Sequence, residues 1–347
     1  MDVPFSNKVL EQPKADLRAP ASAGLRWTKI ALAILSCLYL VALIGSMYLI
    51  RTWGDRTTTA TVLLFAPRWL FALPLVLLVP LAAWVDRRLL VLLGIAAGVV
   101  LFGLLGFSLG WRRLLASPPP AGTAIRVLTF NTHFGTMWAP SLAAYIQATH
   151  PDVVALEEWG GGRYSDVFKE GTWHCVQRGD NLLASRFAVQ PGSLHRGEAF
   201  FHCALLLPGG PVDVVVLHLS SPHAALRDTV EQFPDAFSEI QHNITWRTRQ
   251  AAAIHEFADK QKLPLLLMGD FNLVPDSTIF RQNFSNLSDG FESAGFGFGY
   301  SYIIRWTRVR IDHVLMNDSF RCEKCFVGPF LGSPHRPIVA DLVPIRR

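Results

Sequence analysis

The feature that most constrains the fold is an uncharged apolar stretch near the N-terminus, from Ile30 to Ile50. A helix of about 20 apolar residues is long enough to cross a hydrocarbon core of roughly 30 Å. The stretch is too long for the apolar part of a cleavable signal peptide, so it indicates an anchor that is retained. We predict two further spans, over Trp69–Val85 and Leu89–Leu109. The two prolines in the second span are compatible with a membrane helix.

Composition separates these spans from the rest of the chain. Half of the residues are hydrophobic, and only 17% are charged, where a typical globular protein has about 25%. The deficit of charge is confined to the first third of the chain, and a Pro-rich segment at 117–122 forms a stiff boundary. We therefore expect a basic tail at 1–28, a membrane domain at 29–113, a linker at 114–123 and a water-soluble domain at 124–347.

Basic residues near the span ends predict the orientation of the chain. The N-terminal tail, Lys29 and the pair Arg87-Arg88 would lie on the same, more basic side, which we take to be the cytoplasm. Three spans then place the C-terminal domain outside. We expect a multi-pass protein of the cell's inner membrane, in contact with the lipid bilayer, whose soluble domain is on the extracytoplasmic side.

Charge and cysteines are less informative. The net charge of +5 suits an anionic partner, but many basic residues flank the apolar spans, and this simpler explanation is favoured. Cys322 and Cys325 have the spacing of a metal or redox pair, yet no second pair accompanies them. The four cysteines of the soluble part could form disulfides if that part is outside the cell.

The soluble part alternates between short β-type runs and helical stretches. Helices are predicted at Ser141–Thr149 and Trp246–Lys260. The predicted strands are Ile125–Phe130, Val153–Leu156, Val212–Leu219, Leu265–Met268, Ile311–Met316 and Ile338–Val343. This mixture predicts an α/β or α+β domain with a two-layer or four-layer core.

Polar residues recur where these strands end. They are Asn131, Glu157, Glu158, His218, Asp270, Asn272, Asp312, His313 and His335. A single polar residue at a strand end is often only a turn former, but a set this rich in carboxylate, amide and imidazole groups indicates a shared site. Carboxylate and amide oxygens suit Mg²⁺ or Mn²⁺.

Six segments carry a resemblance to a known family. They are Thr129–His133, Asp152–Glu158, His218-Leu219, Gly269–Asn272, Arg310–His313 and Ser333–Pro337. In sequence, order and rough spacing they resemble the endonuclease/exonuclease/phosphatase superfamily. Together with the N-terminal spans, they are similar to a bacterial membrane-anchored branch of it. The resemblance implies a four-layer α-β-β-α sandwich with its site at one end of two packed sheets, preceded here by three transmembrane helices.

The resemblance also implies roles for individual residues. Glu158, Asn131 and Asp270 would hold the metal, Mg²⁺ or Mn²⁺. Asp270 would orient or deprotonate the attacking water, while Asn131, Asn272 and His218 would bind the phosphate. Asp312 would hydrogen-bond His335 and fix its tautomer, which leaves the other ring nitrogen aimed at the reaction centre. The chain would then be a metal-dependent hydrolase that cleaves phosphodiester or phosphomonoester bonds.

Two departures from the family pattern bear on this interpretation. Glu157 adds a carboxylate beside Glu158, and because neighbouring strand residues face opposite sides, it should point away from the metal. Pro334 stands where the family has an aspartate, and it has no side-chain oxygen to assist a metal or a water. A catalytically degenerate, membrane-bound module that binds phosphate or a partner is therefore the alternative function.

The substrate stays open among nucleic acid, a phospholipid or sphingolipid headgroup, and a small phosphate ester. Arg308, with Arg305, Trp306 and Arg310, would suit nucleic acid or anionic headgroups equally well. Arg247 and Arg249 could also meet phosphate, but an exposed helix face is the default interpretation. His133 and His313 are expected to be structural. Ser220-Ser221 could suggest a serine hydrolase, but the sequence has no Gly-x-Ser-x-Gly turn. The predicted spans contain no charged residue, which argues against a transporter.

Overall fold

The computed structural model describes residues 23–111, 115, 124–135, 139–160, 167–168, 171–194, 199–222 and 235–345. The basic tail up to residue 22 and most of the Pro-rich linker lie outside the described residues. So do most of the Gly160–Gly162 run and His223.

The N-terminal segment is helical and apolar. Its helices are α1 (Ala23–Trp53), α2 (Thr58–Phe65), a 3-10 turn (Arg68–Ala72) leading into α3 (Leu73–Val85), and α4 (Leu89–Gly98), which continues as a π turn (Val99–Leu104). In the described part of the chain, two helices are long and apolar enough to cross a bilayer: Gly24–Trp53, with mean hydropathy 2.4, and Arg68–Val85, with 1.9. The third predicted span is helical only over Leu89–Leu104, which falls short of that length. Of the three predicted spans, two therefore have the length and apolar composition of a membrane-crossing helix.

Two six-stranded sheets form the core of the C-terminal part. The first has the order β13-β14-β1-β2-β4-β3 and comprises Phe320–Val327, Ile338–Pro344, Ile125–Asn131, Val153–Glu157, Asn181–Ser185 and His174–Arg178. The second has the order β5-β6-β7-β8-β12-β9 and comprises Ala188–Leu194, Phe200–Leu207, Gly210–His218, Leu265–Asp270, Asp312–Met316 and Ser288–Asp289. A separate ribbon joins β10 (Tyr302–Ile304) to β11 (Thr307–Val309).

Three apolar clusters show how the layers pack. The first lies between the sheets, where Val127 and Ala155 of one sheet meet Val214 and Met268 of the other. The outer face of the first sheet is covered by α5 (Ala139–Thr149), and that of the second by α6 (Asp235–Asp259) and α7 (Thr278–Phe284). A short helix, α8 (Gly290–Ala294), lies beside β12 and β13. The predicted mixed α+β fold with two packed sheets is confirmed.

The six predicted strands and the two predicted helices of this part are all present, most of them extended by one to a few residues. The sequence-based prediction missed β3–β6, β9–β11 and β13, as well as the short helices α7 and α8. The five cysteines are free and form no disulfide.

The helical segment packs directly on the two-sheet domain. Leu43, Ile50 and Leu64 share a buried cluster with Val274 and Ile311. The end of the π turn is also attached, because Ser108 and Gly297 exchange backbone hydrogen bonds of 2.8 and 2.9 Å. The connections on both sides of the α3–α4 pair therefore contact the same domain.

Candidate active site

Strand pairing brings the predicted polar residues to one end of the sheets. In the first sheet Asn131, at the end of β1, lies opposite Glu157, at the end of the parallel strand β2. In the second sheet Asp270 of β8 lies between His218 of β7 and Asp312 of β12 in the same register. The site therefore forms at the ends of six strands: Asn131, His218 and Asp270 are the last residues of β1, β7 and β8, Asp312 is the first residue of β12, Glu158 directly follows β2, and His335 lies three residues before β14.

Asn131 connects the two sheets at this end. Its side-chain nitrogen donates to Glu158 Oε1 at 3.2 Å and to Asp270 Oδ2 at 2.9 Å. His218 Nε2 lies 3.5 Å from the same Glu158 oxygen and 3.8 Å from the same Asp270 oxygen. Glu158 has a left-handed backbone conformation, with φ of 49°, held by hydrogen bonds to its carbonyl from Thr132 Oγ1 and Phe134 N. This turn directs its side chain back over the strand ends.

His335 completes the group from the other side. Its Nδ1 lies 3.1 and 3.0 Å from the two carboxylate oxygens of Asp312, which fixes Nδ1 as the donor. Its Nε2 then faces Asp270, with Oδ2 at 3.7 Å. The ring of Tyr302 packs edge-on against the imidazole, with 4.8 Å between ring centroids. His335 is thus held by charge and packing at once.

Ser333 and Pro334 hold His335 through backbone contacts. Ser333 Oγ donates to the Asn131 carbonyl at 2.8 Å and accepts from His335 N at 3.1 Å. The Pro334 carbonyl accepts from Ile303 N at 3.0 Å, which attaches this loop to the β10–β11 ribbon. In this segment Pro334 contributes a backbone acceptor, and its ring offers no ligand for a metal.

Asn272 is held in a left-handed conformation, with φ of 48°, two residues beyond Asp270. Its backbone N–H donates to Asp270 Oδ1 at 2.9 Å, and its side-chain nitrogen donates to the Leu219 carbonyl at 2.8 Å. Leu219 in turn donates its N–H to the Asp270 carbonyl. Asn272 therefore supports Asp270 and keeps one amide hydrogen for another acceptor.

Burial and like charges raise the pKa values of two carboxyls at this end, Glu157 and Asp270. Burial above all, followed by Asp312, places the pKa of Glu157 well above its usual value. Burial and Asp312 also raise the pKa of Asp270, although His335 and His218 act in the opposite direction. Burial alone would lower the pKa of His335, but Asp312, Asp270 and Glu158 raise it to about 9. The cluster carries more negative charge than its histidines offset.

This donor set fits a divalent cation. The described residues show no lysine or arginine ion-paired with Glu158, Asp270 or Asp312; their charged partners there are histidines. Asp270, Asp312 and His335 each offer a ligand atom within 4.8 Å of the others. Glu158 and Asp270 share the nitrogen of Asn131, so their oxygens converge as well. Buried carboxylates without a basic partner are the environment in which proteins bind hard cations.

Several other predicted residues lie elsewhere. Glu157 is buried and accepts from Thr129 Oγ1 at 2.9 Å; like Val153 and Ala155 of the same strand, it faces the space between the sheets, and in the described structure its carboxylate has no hydrogen bond to the residues grouped here. His313 is buried between Asp289 and the Leu273 carbonyl, in a structural role. Arg308 lies on β11 and lines a separate cavity of about 660 Å³, and none of the residues grouped here lines that cavity.

The interpretation of Arg247 as part of an exposed helix face is wrong. Its side chain is fully buried and pairs with Asp55 of the helical segment at 2.7 Å. Sequence reasoning missed two residues near the centre. Tyr302 packs on His335, and its pKa is raised by burial and then by nearby carboxylates to about 12. His133, expected to be structural, is exposed and has Nδ1 3.3 Å from Glu158 Oε2. The sequence feature that could have identified His133 is its position directly after Asn131-Thr132.

Comparison with known proteins agrees with this arrangement. The model of the Endonuclease/Exonuclease/phosphatase family matches residues 128–335. No curated protein sequence matches the chain. Among solved structures, a humanized D. rerio TDP2 has 13% identity and a TM-score of 0.49, covering 64% of this chain and 99% of that one.

Two further solved structures are similar at the same level. An AP endonuclease from Archaeoglobus fulgidus has 15% identity and a TM-score of 0.46, and a 3'-5' exonuclease from Neisseria meningitidis has 18% and 0.45. Each covers 62% of this chain and 98% of its own. Identities this low carry no information on the substrate. Because the family match spans more than half of the chain, the protein belongs to the Endonuclease/Exonuclease/phosphatase family, whose members are metal-dependent hydrolases of phosphoester bonds.

Proposed function

We propose that this protein is a membrane-anchored phosphodiesterase that uses Mg²⁺ or Mn²⁺ and hydrolyses its substrate by in-line attack of water. The observation that carries the proposal is the convergence of seven side chains at one end of the two sheets. They are Asn131, Glu158, His218, Asp270, Asn272, Asp312 and His335. Each has a hydrogen-bonding or charge function that phosphoester hydrolysis requires.

Glu158 and Asp270 would hold the metal through their carboxylate oxygens, and Asn131 would do so through Oδ1, which here accepts from His133 N at 2.9 Å while the amide nitrogen faces the two carboxylates. A bound divalent cation offsets the charge that develops on the phosphate oxygens during hydrolysis. The raised pKa of Asp270 supports this assignment, because burial above all and then Asp312 raise it, and no lysine or arginine is ion-paired with Asp270 in the described structure. Mg²⁺ and Mn²⁺ suit these oxygen donors better than zinc does.

The remaining residues position the phosphate and move protons. Asp270 orients the attacking water and accepts its proton. His335, charged at neutral pH because of Asp312 and Asp270, donates from Nε2 towards the phosphate. His218 and Asn272 supply further hydrogen-bond donors to the phosphate. The charge that develops during hydrolysis is then stabilised by side chains whose positions the two sheets fix.

Membrane attachment is supported by two apolar helices of sufficient length and by the path of the chain. The residues after α1 and those after the π turn both contact the catalytic domain, so α3 leads away from it and α4 returns. Three crossings with a cytoplasmic N-terminus would put this domain outside the cell. Labelling of a Lys324→Cys variant in intact cells tests that orientation, since Lys324 is exposed and Cys322 is buried. Protection of that cysteine would contradict it.

The ribbon next to His335 favours a substrate in the bilayer. Its tip carries Trp306, whose side chain is 71% exposed, and Trp306 packs against Trp69 at the start of the second apolar helix. Indoles at span ends favour the membrane interface. Of the nearby arginines, Arg310 is paired with Asp289 and Arg308 lines the other cavity, which weakens the case for a nucleic-acid groove. We therefore place a phospholipid or sphingolipid headgroup phosphodiester first and nucleic acid second.

The experiment uses the full chain in nanodiscs with a soluble phosphodiester, bis(p-nitrophenyl) phosphate, and compares Mg²⁺, Mn²⁺ and EDTA. We expect metal-dependent turnover that Glu158→Gln reduces by about 100-fold or more. Glu157→Gln is the matched control, because it makes the same chemical change one residue away, at a side chain whose hydrogen bond in the described structure is to Thr129, and it should leave kcat near the wild-type value. A panel of sphingomyelin, phosphatidylglycerol, DNA and RNA then ranks the substrates.

A binding module is the second candidate, and Pro334 is the observation that favours it. The Pro334 carbonyl is used by Ile303 N, and its ring gives neither a metal ligand nor a proton acceptor. Absence of turnover with every divalent ion, together with phosphate binding that Asp270→Ala does not change, would support the module and refute the hydrolase.

A further inference from the structure

A buried ion pair joins the helical segment to the catalytic domain. Asp55 lies in the turn after α1, and Arg247 lies on α6, 192 residues later. Arg247 Nη2 is 2.7 Å from Asp55 Oδ1, and both side chains are fully buried. Removing two charges from water is costly unless each is paired and hydrogen-bonded, so this pair fixes the two segments relative to each other.

The loop after Asn272 closes around the same turn. Ser277 Oγ donates to the other carboxylate oxygen of Asp55. Thr278 Oγ1 donates to the Gly54 carbonyl at 2.5 Å. Asp276 pairs with Arg68, and its other oxygen lies 3.1 Å from Arg51 Nε. Three consecutive residues of the catalytic domain are therefore bound to the helical segment.

The ion pair also reaches the catalytic residues. Arg247 Nη1 donates to the Asn272 carbonyl at 3.2 Å, while Arg247 Nε donates to Asn243 Oδ1 at 2.8 Å. Asn272 has φ of 48°, a conformation that a non-glycine residue adopts at a cost. The N–H of Asn272 holds Asp270 Oδ1, so contacts on both sides of this strained residue determine where Asp270 points.

We propose that Asp55 is a positioning residue for the active site. Through Arg247 it holds the Asn272 carbonyl, and Asn272 then holds Asp270 in place. The N-terminal helical segment is on this account a structural part of the catalytic centre as well as its anchor. The inference rests on the proposed function for the role of Asp270, but the link from Asp55 to Asn272 can be measured without turnover.

The test compares Asp55→Asn with Arg68→Gln in the full chain. Arg68 also forms a largely buried ion pair across the same junction, to Asp276, but it has no contact with Arg247 or Asn272 in the described structure. We expect Asp55→Asn to lower kcat by about 10- to 100-fold with KM changed less than about 3-fold, because it displaces a catalytic group. Arg68→Gln should lower the melting temperature and leave kcat within about 2-fold.

Hydrogen–deuterium exchange of the Phe271–Val274 backbone, a window that excludes Asp276 and its contact with Arg68, gives the second readout. Exchange should become faster in Asp55→Asn and stay near wild type in Arg68→Gln. If Asp55→Asn does not fold, Asp55→Asn/Arg247→Gln removes the unpaired buried charge and should show the same fall in kcat and the same faster exchange.

Two outcomes would overturn the inference: equal exchange in both variants, or kcat that falls in both only in proportion to their melting temperatures. A wild-type protein without turnover would instead refute the proposed function, and the exchange comparison would still decide whether Asp55 positions Asn272.

Discussion

Replacing Asp312 with asparagine should separate the proton chemistry of the site from its fold. Asp312 contacts His335 Nδ1 with both carboxylate oxygens, at 3.1 and 3.0 Å, and both residues are buried. An asparagine is nearly isosteric, so packing around Tyr302 is retained. The change removes the negative charge. The amide can present either its oxygen or its nitrogen to the ring, so it no longer fixes the tautomer of His335.

The size of the effect follows from the pKa of His335. Burial alone would lower this pKa, yet Asp312, Asp270 and Glu158 raise it to about 9, against a usual value of 6.5. Each pKa unit corresponds to about 1.4 kcal/mol, so the surroundings favour the charged imidazole by roughly 3 kcal/mol. Asp312 is the strongest raising influence. If this pKa returned to about 6.5, the charged fraction of His335 at pH 7 would fall from nearly all to roughly a quarter, so charge alone would lower kcat by about 4-fold, and loss of the fixed ring orientation would lower it further.

The direction of the expected pH dependence follows from the raised pKa of His335. A raised pKa keeps His335 protonated below about pH 9, so activity that depends on the charged ring is present at lower pH and is lost as the pH rises through that value. In Asp312→Asn the alkaline limb of kcat/KM should move to lower pH.

The molecule contains its own control for this substitution. Asp289 and His313 form a second buried pair at 2.8 Å, away from the catalytic carboxylates. Asp289→Asn should weaken the fold without moving the alkaline limb. The same pH profile in both variants, or near-wild-type kcat in Asp312→Asn, would refute this role of Asp312.

Three further predictions concern stability and the membrane. Arg310 and His313 outweigh burial and hold the pKa of Asp289 below its usual range, so its stabilising effect is present above the unfolded pKa of about 3.9 and is lost as the pH falls below it. Asp289→Asn should therefore lower the unfolding free energy by about 3 kcal/mol at pH 7, and the gap in melting temperature should narrow below pH 4; a constant gap would contradict this. Gly269 has φ of 149°, and a Cβ there would lie 1.9 Å from the Leu217 carbonyl oxygen, so Gly269→Ala should cost at least about 3 kcal/mol in a denaturant titration, and an unchanged midpoint would refute the close approach. Trp306→Ala should slow hydrolysis of a lipid in vesicles several-fold while leaving a soluble phosphodiester unaffected, since only the first substrate requires the indole at the interface; equal slowing of both would argue against a membrane contact.

The sequence predicted the centre of the site because catalytic side chains sit where buried strands end. Val127–Phe130 and Leu265–Met268 are runs whose ends can be recognised locally; Asn131 directly follows the first, and Asp270 follows the second after Gly269. Parallel and antiparallel pairing then makes these ends coincide. His335 lies in the loop before β14; its place before that strand marked it as a candidate, and its role came from the resemblance to the family segment.

The features that were missed depend on contacts between distant parts of the chain. Arg247 looks like any basic residue on an amphipathic helix until Asp55, 192 residues earlier, is placed against it. The packing of Trp69 on Trp306 joins residues 237 apart. The third apolar span was predicted too long because a π turn ends the helix at Leu104 and residues 105–108 turn onto the catalytic domain. Local periodicity contains none of this information.

The central claim is that strand ends from both sheets bind one catalytic metal. The most direct measurement is anomalous diffraction from crystals of the full chain grown with Mn²⁺ and inorganic phosphate. We expect an anomalous peak bonded to Glu158 and Asp270, with the phosphate within reach of His218 and His335. A peak bound only by Asp312 and His335, or no peak within this group of residues, would contradict the account.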